Sequence, residues 1–196
     1  MKSYLLPLAV LLTACVGGAP KQAEVAYYDL SAEPAGLSLP AGAPLRTLDV
    51  VPSSWLASNA MYYRLAYADS NRREHFAHAR WSAQPSELIA TRLQRSLLTG
   101  TQSAAPYCRL RIDLDDLSQV FDGPGSSRLV LDARVTLYGV QQRVLARRSM
   151  VLSQPAGADA RAGAAVSGAL TAELARELHG WVQRECAQPT PPARAQ

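Results

Sequence analysis

Hydrophobic residues in this chain change period three times, and the order of those changes restricts the architectures open to it. Up to Arg80 the apolar runs are short and strand-like: Tyr27–Leu30, Leu45–Val51 closed by Pro52, then Met61–Tyr67 and Glu74–Arg80 around the polar turn 68–72, which is a β-hairpin signal. From Pro85 to Leu98 the period becomes helical, with Leu88, Ile89, Leu93 and Leu97 on one face and Glu87, Arg92 and Arg95 elsewhere. Three strands follow, Arg109–Phe121, Leu129–Tyr138 and Arg143–Leu152, the first two joined by the turn Asp122, Gly123, Pro124, Gly125. Their short connections predict an antiparallel meander. Helical period returns from Asp159 to Arg184 through Val166, Leu170, Leu174, Leu178 and Trp181. The expected fold is therefore α+β, a single domain with a mostly antiparallel β-sheet and two main helices packed on one face.

The N-terminus carries a second strong signal. Lys2 precedes the apolar stretch Tyr4–Leu12, which is too short to span a bilayer as a stable helix, and Leu12, Thr13, Ala14, Cys15 closes it. This reads as a lipoprotein signal over residues 1–14, cut before Cys15, whose sulfur and new amino group would then carry acyl chains. Several chains together anchor a protein where one binds only marginally. A plain secretory signal or a buried N-terminal helix with an accidental cysteine is the alternative. Val16 leaves no acidic retention signal after the cysteine, so the expected location is the periplasmic face of the outer membrane of a Gram-negative bacterium. Residues 15–26 read as a tether able to reach about 35 Å at ~3.3 Å per residue, and 187–196 as a proline-rich disordered tail. The folded domain is expected over 27–186, and no second segment is long enough to cross a membrane.

With Cys15 assigned to the anchor, Cys108 and Cys186 remain as an even pair in an oxidising compartment. Either they bridge, stapling the last helix to the sheet, or they are two unrelated thiols. The net charge of +4 is small and almost entirely arginine, so no nucleic-acid partner is expected. The basic residues Arg143, Arg147 and Arg148 are interrupted by apolar ones and read as the solvated face of a strand.

No catalytic constellation emerges. His75 and His78, three apart on a strand, point to opposite faces and share no metal. Asp113 and Asp115 share a strand face beside Asp116; a cation site is conceivable there, but solvated carboxylates opposite Leu110, Ile112 and Leu114 fit the alternation better. Neither a nucleophile elbow nor a phosphate loop is present. The chain does not read as an enzyme, and no cofactor or metal is expected.

Tyr27, Tyr28, Asp29, Leu30 behind the lipid-attachment signal, then Val50, Val51, Pro52, Trp55, Leu56, then Met61, Tyr62, Tyr63, Arg64, then Ala79, Arg80, Trp81 with Pro85, and Leu110–Phe121 ahead of the closing helix form an ordered series. In order and spacing it resembles the ABC-type transport auxiliary lipoproteins over about residues 27–186. The resemblance implies a non-catalytic periplasmic accessory of an MCE-type system that moves lipids between membranes, docking the periplasmic MCE-domain protein at the outer membrane and forming a homo-oligomer. It carries over no lipid-contact residue. Trp55, Tyr62, Tyr63 and Trp81 are either core or a partner and oligomer surface, depending on their exposure. Two other classes stay open: a lipoprotein regulating a periplasmic cell-wall enzyme, and a lipid carrier, which would need a dry apolar cavity of about 300–1,000 Å³.

Overall fold

A computed structural model describes residues 24–32, 43–98 and 108–186. Cys15, the expected site of lipid attachment, and the expected signal, most of the expected tether and the expected tail lie outside the described residues. Seven strands form one sheet: β1 (Ala26–Tyr28), β2 (Leu45–Pro52), β3 (Ala60–Leu65), β4 (Glu74–Trp81), β5 (Cys108–Gly123), β6 (Ser126–Tyr138) and β7 (Val144–Ala156). Two helices complete the fold, α1 (Pro85–Leu97) and α2 (Ala160–Cys186). No helix among the described residues is long and apolar enough to cross a membrane. The expected α+β domain is observed.

The sheet runs β1-β4-β3-β5-β6-β7, with β2 also on β5. The β5–β6–β7 meander and the β3–β4 hairpin are antiparallel, as their short connections require. The sheet is mostly antiparallel by paired residues, as expected, and shorter parallel pairings of β1 on β4, β2 on β5 and β3 on β5 make it mixed. β2 and β3 lie end to end along one edge of β5. β2 runs beside Cys108–Leu114 and β3 beside Ser118–Phe121, in the same direction. The chain leaves that edge only over residues 53–59, where β5 itself bulges between Leu114 and Asp116.

Alternation on β5 and β6 sends Leu110, Ile112, Leu114, Leu117, Leu131, Val135 and Leu137 inward, all at most 3% exposed. Both helices cover this face. Pro85 opens α1, where its fixed φ suits the first turn, and Glu87 and Arg95 sit at the helix ends whose dipole charge they oppose. Ile89, Leu93 and Leu97 fill the buried side of α1. The Asp159 carboxylate accepts from Ala162 N–H at 2.7 Å and caps α2. The inner side of α2 carries Leu170, Leu174 and Leu178 together with small residues such as Gly163, Ala164 and Gly168. These let backbones approach closely: a Cβ on Gly168 would lie 2.3 Å from the carbonyl oxygen of Ser31.

That contact is one half of a clamp. Asp29 and Leu30 were expected to extend β1; instead the chain leaves the sheet and drops over the helices. Gly168 N–H donates to Ser31 Oγ at 2.8 Å, and Ser31 N–H donates to Ser167 Oγ at 3.0 Å. Arg92 of α1 donates to the Ser31 carbonyl at 3.1 Å, and Leu30 is buried. At the opposite end of the domain a disulfide joins Cys108 at the start of β5 to Cys186 at the end of α2, Cα to Cα 6.2 Å.

Candidate interaction surface

The helix-free face of the sheet holds the most developed side-chain cluster, and it is built on the excursion between β2 and β3. Ser53 N–H bonds back to the Leu114 carbonyl at 2.9 Å as the chain leaves β5, and a single 3₁₀ turn, Ser54–Leu56, follows. Leu56 is fully buried and pins the turn from below. Trp55 is thereby left half-buried beside β3. Tyr62 meets it edge to face, centroids 5.1 Å apart at 77°, and donates its hydroxyl to the Trp55 carbonyl at 3.0 Å.

Arg73, from the β3–β4 loop, lies with its guanidinium carbon 3.3 Å from the centre of the Trp55 ring, a cation–π stack. The same arginine reaches the Asp116 carboxylate at 3.5 Å, and Arg64 bonds the same oxygen. The other Asp116 oxygen and Arg64 Nε are buried with no hydrogen-bond partner. Burial pulls the Arg73 pKa below the usual arginine value, partly countered by Asp116. Across the strand pair from Asp116 stands Asp132, whose carboxyl is raised above the ordinary aspartate range by burial first and by Asp115 and Asp116 second.

Of the four aromatic residues singled out from sequence, the structure brings together Trp55 and Tyr62. Tyr63 is on the opposite face of β3, donating to Glu74 at 2.7 Å and packing on Phe76 with centroids 4.7 Å apart. Its hydroxyl pKa is raised, chiefly by that hydrogen bond. Trp81 is corrected as a surface candidate: at 2% exposed it belongs to the core cluster, at the end of β4 beside Tyr28 of β1. The arginines were missed. Arg64 and Arg73 reach their places only through the β3–β5 pairing and the β4 loop, and a sequence shows neither.

The acidic run on β5 gains a member. Asp113 and Asp115 both face away from the helices, Asp115 bonding the Arg134 that stands opposite Asp113, and the bulge turns Asp116 to the same face, opposite Asp132. Each carboxylate is engaged by arginine: Asp113 by Arg111 at 2.8 Å, Asp115 by Arg134 at 2.6 Å, and Asp116 by Arg64 and Arg73. Among the described residues no group of histidine, cysteine or carboxylate side chains is placed to hold a metal ion. His75 and His78 are exposed.

Two open clefts accompany this face. One of about 610 Å³ is lined by residues including Arg46, Asp49, Arg109 and Tyr138, the other of about 510 Å³ by residues including Asp113, Arg134 and Arg147. Their charged walls are unlike the dry apolar lining that shielding a lipid requires.

Comparison with known proteins places the fold. No family model matches the chain, and no curated protein matches it. Among solved structures it is similar to protein XCC0632 from Xanthomonas campestris, which carries the family-model DUF330, at 17% identity and a TM-score of 0.66 over 82% of this chain and 95% of that one. It is also similar to an uncharacterized protein at 14% identity and a TM-score of 0.60, over 81% of this chain and 99% of that one.

Proposed function

We propose that this chain is an outer-membrane-anchored periplasmic lipoprotein, a non-catalytic auxiliary of an ABC-type intermembrane lipid transport system that docks the periplasmic MCE-domain protein. The observation that carries the reading is the stack of Trp55, Tyr62 and Arg73 on the helix-free face. Aromatic and arginine side chains dominate binding energy at interfaces, and here they form one partly exposed unit at the edge of the core. The lipid-attachment signal ending at Cys15 and the ordered motif series supply the location and the transport class. The fold shared with XCC0632 is compatible with both. The clefts, being open and charged, favour docking over lipid carriage.

Pull-down of a periplasmic MCE-domain protein from the same cell tests the reading. Trp55→Ala and Arg73→Ala should each weaken capture by roughly thirtyfold, the loss of ~2 kcal/mol expected of a central anchor. Light scattering should show a homo-oligomer, and Cys15→Ala should leave the mature protein without acyl chains by mass spectrometry. A monomer that ignores the MCE protein and instead stimulates a cell-wall synthase would replace this reading with the regulatory one.

A further inference from the structure

The end of the sheet where β6 turns into β7 carries a different combination of side chains, remote from the Trp55 stack. Val140 and Val144 flank the turn and are 68% and 41% exposed, two of the five large hydrophobic side chains exposed among the described residues. Between them the turn is tight: Arg143 N–H bonds the Val140 carbonyl at 3.3 Å and Gly139 N–H bonds the Arg143 carbonyl at 2.8 Å. Gln141 and Gln142 sit at φ 55° and 61°, the left-handed region that costs residues other than glycine about 1 kcal/mol each. The tip is therefore held in one shape, with Val140 projecting from it.

Around this tip positive charge is in surplus. Four of the nearby carboxylates are already engaged: Asp49 by Arg109 at 3.0 Å, Asp113 by Arg111, Asp115 by Arg134, and Glu177 by Arg148 at 2.8 Å. Arg46, Arg143 and Arg147 are exposed, with no ion-pair partner among the described residues. Arg46 shares the larger cleft with Gln141 and Gln142; Arg147 lines the smaller one; Tyr138 is a wall of both.

We infer that this end of the domain docks on an anionic phospholipid surface, the three free arginines taking lipid phosphates while Val140 and Val144 enter the interfacial layer. Free cationic side chains around exposed apolar ones are what a membrane interface selects, each basic residue multiplying the partition severalfold at low salt. A purely electrostatic anion site would gain nothing from the valines. The inference goes beyond the docking role proposed above and does not require acylation of Cys15.

The test uses the chain from Val16 to Gln196, which keeps every described residue and lacks the acylated cysteine. It should sediment with vesicles rich in phosphatidylglycerol, not with pure phosphatidylcholine, and should be released by high salt. Arg143→Glu with Arg147→Glu should weaken binding at least about tenfold, and Val140→Asp should weaken it with no change in folded-state circular dichroism. Arg95→Glu with Arg161→Glu, the same charge change placed on the helices, should leave binding intact. Equal loss in both double variants, equal binding to neutral vesicles, displacement by millimolar inorganic phosphate, or no binding at all would each overturn the inference. Failure here leaves the MCE pull-down unaffected, so the two proposals are separable.

Discussion

Asp116 gathers two arginines on one oxygen, while Asp132, directly across the strand pair, has none bonded to it among the described residues. Asp132 has a folded-state pKa above its unfolded value, so its ionisation opposes folding; stability declines as pH rises from the unfolded pKa through the folded one. Asp132→Asn should accordingly raise the melting temperature at neutral pH and make no difference below about pH 3, where both states are protonated. Asp115 behaves in the reverse sense. Its hydrogen bond to Arg134 lowers its pKa, so the stability it adds is present above the ordinary carboxylate pKa and is lost as pH falls through the folded value. At this scale the sequence was only half readable. Carboxylates alternating with leucines on β5 were visible; the bulge at Asp115 that brings Asp116 to the same face was not, because it depends on the partner strands.

Among the elements, boundaries read from periodicity fell close to those observed: α1 was expected over Pro85–Leu98 and spans Pro85–Leu97, and α2 was expected over Asp159–Arg184 and spans Ala160–Cys186. Helices announce themselves through local spacing, and hairpins through short turns. The three parallel pairings did not, since a parallel neighbour is chosen by contacts far apart in sequence. The Trp55 turn exists only because β2 and β3 share one edge of β5, so the cluster was not legible either. Close packing on α2 gives a sharp contrast between two glycines. Gly168→Ala should destabilise the fold by about 1–3 kcal/mol despite the better helix propensity of alanine, because the backbone oxygens of Ser31 and Ala32 occupy the space. At Gly180 a Cβ would meet only the far end of Arg184 at 3.5 Å, and Gly180→Ala should stabilise by up to ~1 kcal/mol. Thermal melts of the two variants check both signs.

For the molecule as a whole, the Cys108–Cys186 bridge and the Ser31 clamp hold the two ends of the domain. The bridge spans 78 residues of sequence, and chain-entropy arguments give such a loop about 4 kcal/mol. Cys108→Ala with Cys186→Ala should lower the melting temperature by about 10 °C relative to the oxidised parent, read by calorimetry. The clamp has a mechanical consequence. Tension entering ahead of residue 26 meets the three residues of β1 first, then Leu30 and Ser31 between Arg92 and Gly168, before any load reaches β5 or the bridged end. β1 is short and mostly exposed, and Leu30 is the one apolar side chain of this strap in the core cluster. Pulled from its N-terminal side, this strap should therefore act as a fuse, peeling first while the bridged core stays folded, as single-molecule force spectroscopy would read.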